Sequence, residues 1–165
     1  MQQPLPWTIS PWPHNLSQQA SGNPGAVQFV KAQDPVIEAV LQELRAGGKE
    51  THWMWFVFPQ LRRLGRSPMA MHFGIQNLDE ARAYLGHAIL GSRLEECVEA
   101  VLSLSGHTLH EILGSPDDLK FRSSMTLFST ADAHGHLFKQ ALDRYCGGEM
   151  DFATQKLLGA TPSGR

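Results

Sequence analysis

Two stretches of this chain combine cationic, hydroxyl and amide side chains and contain no carboxylate. The first lies between Glu50 and Asp79 and carries Gln60, Arg62, Arg63, Arg66 and Ser67. The second runs from Leu119 to Ala131 and carries Lys120, Arg122, Ser123, Ser124 and Thr126. Side chains of these types suit an anion. Guanidinium groups grip planar oxygens in a two-pronged fork, while hydroxyls and backbone N–H groups complete the shell. Ser67-Pro68 reads as an N-cap followed by proline in the first helical turn, and a helix start adds partial positive charge. On a helix Lys120 and Arg122 point in different directions, so Lys120 groups with Ser123 and Ser124, and Arg122 with Thr126. Trp53, Trp55 or His72 would stack on a base or sugar. His52, directly before the aromatic block, could accept a proton or donate a hydrogen bond near neutral pH. A phosphate- or nucleotide-like ligand is therefore the expected partner, provided the fold brings the two stretches together.

The same residues admit plainer roles. Arginines on a loop are often solvated, and serine and threonine in helices bond to their own carbonyls. The eight histidines include His107-x-x-His110 and His134-x-His136, but none forms the HExxH zinc pattern, so no metal is assigned. Neither a GxSxG elbow, a Walker A loop nor a dinucleotide glycine fingerprint occurs. Neither a reaction nor a cofactor is assigned. Besides a ligand-binding or enzymatic domain, an interaction module using an apolar groove around Trp53 and Trp55, or a structural protein without a ligand, would also fit.

Positioning falls to the block Trp53 to Phe58, six consecutive apolar residues of which four are aromatic. Each buried aromatic can hide about 150–250 Å², so the block belongs at the centre of a core. It is too short for a bilayer, which needs about 20 residues. Pro59 ends regular structure there, and a short buried helix over about Thr51 to Phe58 is expected, with a strand as the alternative.

Helical stripes flank the block. Ala26–Gln33 is followed by a helix to about Ala46, started by an Asp34-Pro35 cap and stopped by Gly47-Gly48. Pro68–Phe73 ends at Gly74, and Asn77 caps the next helix. Ala88–Leu104, His107–Leu113, Asp118–Ser129, His136–Tyr145 and a last helix from Asp151 to Leu158 follow. Ser115-Pro116 reads as another cap-plus-proline start. In Asp118–Ser129 the seam is Phe121, Met125 and Phe128, widened by Leu119 and Leu127. The expected fold is all-α: a single multihelical domain over residues 26–160, an extended or disordered proline-rich tail over 1–25, and a frayed end over 161–165.

Several segments together resemble the domain-of-unknown-function 1810 family of small bacterial proteins. They are Phe29-Val30-x-Ala32-Gln33, His52-Trp53-Met54-Trp55-Phe56-x-Phe58-Pro59-Gln60-Leu61, Leu64-Gly65-x-Ser67, Glu80-Ala81-x-Ala83-Tyr84-Leu85, Leu90-Gly91-x-Arg93-Leu94 and Asp118-Leu119-Lys120-x-Arg122-Ser123-Ser124-Met125-Thr126-Leu127-Phe128. The resemblance covers roughly residues 27–159 and implies an all-α, cytoplasmic domain without an assigned activity. Some relatives carry a calpain-inhibitor label. Such inhibitors are disordered repeats, and this chain is neither repetitive nor poor in aromatics.

Composition sets the outer bounds. With 165 residues, 42% apolar and 18% charged, the chain can bury a real core. A formal net charge of −2 gives no global basic field, which argues against nucleic acid as a partner. Cys97 and Cys146 have no CxxC spacing and read as reduced thiols of a cytoplasmic protein. The N-terminus lacks the charged and apolar regions of a signal peptide, and no stretch is expected to span a membrane.

Overall fold

Proline and glycine set most of the helix boundaries, and the long helices between them form two hubs. The computed structural model describes residues 25–132 and 134–159. The elements are α1 (Gly25–Gln33), α2 (Ile37–Ala46), α3 (Met54–Val57), a 3-10 turn (Arg62–Leu64), α4 (Pro68–Phe73), α5 (Leu78–Gly86), α6 (Leu90–Leu102), α7 (Leu109–Leu113), α8 (Asp117–Ala131), α9 (Leu137–Tyr145) and α10 (Phe152–Gly159). Among the described residues there is no strand, only one isolated parallel bridge between Leu61 and Ile75. The fold is all-α, as expected. The proline-rich segment 1–24 and residues 161–165 lie outside the described residues.

α8 is the central element. It packs against α5, α7, α9 and α10, while α6 gathers α1, α2, α5 and α9. The core is threaded by aromatic pairs. Trp53 meets Phe58 (6.1 Å between centroids), which meets Phe121 edge-on (5.0 Å). A second series runs Phe56–Phe73–Phe29–Tyr84–Phe128–Phe138, each step between 5.1 and 5.8 Å. Edge-on and tilted pairs contribute about 0.5–1.5 kcal/mol beyond their buried area. The aromatic block thus joins α1, α4, α5, α8 and α9.

Three of the expected caps are present. Ser67 accepts from the Ala70 N–H, Asn77 from Glu80, and Asp151 from Thr154. Two are not. Asp34 lies in a turn, α2 begins at Ile37, and the Asp34 carboxylate instead meets Arg93 at 2.8 Å. A half-buried guanidinium offers that carboxylate a charge-assisted bond, which is stronger than a neutral N–H. Ser115 is likewise not a cap, because Pro116 itself occupies the cap position of α8. The helix starts with two acids, Asp117 and Asp118, in its first turn, where the dipole favours them.

α8 also departs from the expected single seam. Leu119 is 60% exposed, whereas every residue from Ser123 to Phe128 is buried. A helix surrounded by four others has no solvent face to show along its middle. Close approach matters elsewhere too: a β-carbon at Gly91 would overlap the Leu85 carbonyl oxygen, so only glycine lets α6 start against the end of α5.

The loop before α3 is held by one carboxylate. Gly47 takes a left-handed conformation (φ 85°) at the end of α2 and turns the chain back over it. Glu43 then accepts from the Glu50 N–H (2.8 Å), the Thr51 N–H (3.1 Å), the Thr51 hydroxyl (2.6 Å) and the Trp53 indole N–H (2.9 Å). Burial pushes the Glu43 carboxyl up, but these hydrogen bonds outweigh it and hold the group at about 2.

Because the folded value lies below the ordinary 4.5, this contribution to stability is complete above about pH 4.5 and disappears as pH falls to about 2. Glu43→Ala, which leaves the enclosed indole N–H without an acceptor, should cost about 3 kcal/mol at pH 7. Urea unfolding across pH should show the gap from wild type narrowing below pH 4.5, and a gap that stays constant down to pH 2 would refute the assignment.

Candidate functional site

The block and the start of α8 meet at a shallow surface cleft with about 10 Å³ of water-sized space, room for about one water. Its apolar wall is Met54, Trp55, Phe58, Ala70 and Phe73; the polar side chains are Gln60 and Lys120, with the Gly74 backbone between. The chain folds this way because Leu61 bridges Ile75, with Arg62 N–H donating to the Ile75 carbonyl (2.8 Å) and Ile75 N–H to the Gln60 carbonyl (2.9 Å). Gly74 is required at this crossing, since a β-carbon would overlap the Arg62 backbone.

Lys120 Nζ stands 5.4 Å from the centre of the Trp55 ring, within cation–π range. It is also 3.8 Å from Asp117, whose other oxygen meets Lys49 at 3.0 Å. Lys49 in turn lies 5.1 Å over the Trp53 ring. Two ammonium groups therefore share one carboxylate, each laid on an indole face. One positive charge remains uncompensated within this set, and no carboxylate lines the cleft.

Of the residues singled out in the sequence, Trp55, Gln60 and Lys120 come together here. Trp53 is 1% exposed and enclosed, its N–H held by Glu43. His52 is exposed on the loop before it. Arg62, Arg66 and Ser67 do not line the cleft, although a β-carbon at Gly65 would come within 3.7 Å of the Gln60 amide nitrogen. Arg63 instead borders a second depression of about 240 Å³ beside Leu157 and Leu158. Among the described residues none of these three arginines forms an ion pair.

On α8, Arg122 turns away to the Glu149 and Met150 carbonyls (3.1 and 3.0 Å) and the Glu149 carboxylate (3.3 Å). Ser123 donates to the Leu119 carbonyl and Thr126 to that of Arg122, while Thr126 also accepts from Asp151 N–H. Ser124 is fully enclosed. The hydroxyl groups thus lie among helices rather than in the cleft. Lys49, Asp117 and the wall residues Met54, Phe58, Ala70 and Phe73 had not been singled out for the site. Lys49 and Asp117 give no local sign of their pairing, since they are far apart in sequence.

Other polar groups are structural. Gln33, 1% exposed, donates to the Phe56 carbonyl (2.7 Å) and the Tyr84 hydroxyl (3.1 Å), and accepts from Arg93 (3.4 Å). Burial pushes the Tyr84 hydroxyl far up, and the Cys97 thiol up to about 12, so neither is a nucleophile at neutral pH. Burial and the Arg93 charge lower His87, whose Nδ1 accepts from the Ile89 and Leu90 N–H groups. Among the described residues, no group of three or more His, Cys, Asp or Glu side chains could hold a metal, and no helix is long and apolar enough to cross a membrane.

An all-α domain with an aromatic block at its centre and a small cleft beside it is what the fold and site define. The chain belongs to the family described as protein of unknown function DUF1810, whose model matches residues 25–158. It is similar to the crystal structure of the conserved hypothetical protein Rv1873 from Mycobacterium tuberculosis at 1.38 Å. The two are 52% identical, with a TM-score of 0.81, over 82% of this chain and 97% of that one. No curated protein matches.

Asp117→Asn should leave Lys49, whose side chain is 9% exposed, without its partner. Breaking such a pair costs about 3 kcal/mol. Chemical denaturation would measure it, and a loss no larger than that of an exposed pair such as Arg82–Asp79 would show that the shared carboxylate contributes little.

Proposed function

We propose that the domain binds a small anionic ligand in the cleft between the Met54–Gln60 segment and Lys120. The observation that carries this reading is the Lys120 ammonium, held over Trp55 on the cleft wall with only a shared claim on Asp117. An ammonium beside an apolar wall attracts an anion more strongly than one in bulk water, because the wall excludes solvent and lowers the local dielectric. Gln60 adds an amide that can donate to the ligand's oxygens.

Size narrows the class. The space in the cleft that a water-sized sphere can occupy is only about 10 Å³, room for about one water, so the cleft can receive the charged end of an anion and not a whole nucleotide. Both cysteines are free, which supports a reducing, cytoplasmic setting.

Inorganic phosphate, sulfate, acetate, sugar phosphates and nucleoside monophosphates, compared at matched ionic strength, should include at least one that raises the melting temperature in a saturable way. Trp55 fluorescence should respond, and Trp55→Phe would assign the signal. Lys120→Gln should weaken binding by roughly 10- to 100-fold, the value of one charge-assisted hydrogen bond, while Arg122→Gln should not. Absence of any saturable anion, or binding that survives Lys120→Gln, defeats the proposal.

A further inference from the structure

We infer that the 3-10 turn Arg62–Leu64 and the residues just after it form a second anion site, separate from the cleft, for a ligand carrying two linked phosphate groups. The site lies on the surface and needs no enclosed volume. Its mark is the state of its arginines. Every other arginine among the described residues is engaged: Arg45 by Glu96, Arg82 by Asp79, Arg93 by Asp34, Arg122 by Glu149, and Arg144 by the Leu102 and Leu104 carbonyls. Arg62, Arg63 and Arg66 fall within one five-residue stretch. Among the described residues their side chains make neither an ion pair nor a hydrogen bond.

Three guanidinium groups so close in the chain repel one another, and no carboxylate occurs between Glu50 and Asp79 to offset them. Arg62 is half-buried, with its Nε enclosed and lacking an acceptor, so this arginine is seated in the fold and its stem does not swing freely in solvent. Gly65 and Gly74 set the path of the turn, since a β-carbon on the first would overlap Ala70 and one on the second would overlap Arg62. The arginines are thus presented by a fixed backbone.

The chemistry of the partner follows from fork and charge. Guanidinium forks match the paired oxygens of phosphate. One phosphate monoester brings about two negative charges near neutral pH, which leaves one of three guanidiniums without a counter-charge. Two linked phosphates match all three. The depression beside Arg63 adds neutral donors: Gln76 and Asn77 line it, and no carboxylate does. Asn77 uses its side-chain oxygen to cap α5, which leaves its amide N–H groups for another acceptor. Glu80, the acid close by, is occupied by the Gln76 N–H at 2.6 Å. Ser67 takes no part, because its hydroxyl already accepts from Ala70.

Calorimetric titration of the full chain with pyrophosphate, in metal-free buffer at constant ionic strength, tests this. Pyrophosphate should bind saturably and more tightly than inorganic phosphate or sulfate by roughly tenfold or more, the value of an added charge-assisted contact. Arg63→Gln and Arg66→Gln should each weaken it by roughly 10- to 100-fold. Both should leave the ligand-free melting temperature unchanged or higher, because a repelling charge is removed. Arg66→Lys should restore only part of the affinity, since an ammonium keeps the charge and loses the fork. Arg82→Gln should have no effect on binding. No saturable binding, equal affinity for inorganic phosphate, or indifference to the arginine variants would overturn the inference. So would capture by phosphatidylglycerol vesicles without binding of pyrophosphate, which would point to a lipid surface instead. Pyrophosphate binding lost in Lys120→Gln but kept in the arginine variants would refute this second site and assign the ligand to the cleft. Acetate, whose single charge suits the cleft, reports on that reading independently.

Discussion

A buried indole N–H has to find an acceptor, and in this protein the acceptor is Glu43. Much of the architecture around the cleft follows from that requirement. A carboxylate drawn partly out of water needs further donors, and the returning loop provides them from Glu50 and Thr51. The loop so fixed brings Lys49 over the Trp53 ring and against Asp117 at the head of α8. Its backbone N–H also donates to the Ile112 carbonyl in α7. One hydrogen-bonded ring thereby joins α2, the aromatic block and the central helix. α3 has only four residues and could not persist as an isolated helix; its place is dictated by this ring and by the rings it packs against.

The interior position of α8 explains why its middle carries small hydroxyl residues. Serine and threonine can be enclosed at modest cost when they bond to a carbonyl one turn back, as Ser123 and Thr126 do. Their small size lets neighbouring helices approach. Thr126 adds a second service, accepting the Asp151 N–H just before α10 begins, while Asp151 caps that helix. A carboxylate in this stretch would need a buried counter-charge, so its absence between Leu119 and Ala131 has a packing reason as well as an electrostatic one.

Local chemistry was readable wherever the deciding interaction is local. Ser67, Asn77 and Asp151 cap as their neighbours dictate, and the glycines at 47 and 74 mark helix ends. Asp34 and Ser115 misled because a distant arginine claims the first, and proline takes the cap position beside the second. The seam of α8 is buried at Phe121, Met125, Leu127 and Phe128 as read, but Leu119 is exposed and the hydroxyl positions Ser123, Ser124 and Thr126 are buried as well: periodicity assumes one wet face, and a helix enclosed by four neighbours lacks one along its middle. Within the cleft, Trp55, Gln60 and Lys120 stood out by type and by the motifs that contain them. Their association depends on the Leu61–Ile75 crossing and on Asp117, which pattern cannot reveal.

The tether between Lys120 and Asp117 acts in two opposing ways. It reduces the field that an incoming anion feels, and it orders a long side chain that would otherwise lose rotamer freedom on binding, a loss of about 0.5–1.5 kcal/mol for such a residue. Because Lys49 holds the same carboxylate more closely, at 3.0 Å against 3.8 Å, the ordering persists while most of the Asp117 charge is directed elsewhere. Trp55 then fixes the remaining direction of the ammonium without neutralising it. An exposed lysine would offer a stronger formal field but no geometry, and a fully paired one would offer geometry but no attraction. On the proposed anion-binding reading, the second tryptophan–lysine pair, which lines no part of the cleft, is what would leave the first able to receive a ligand.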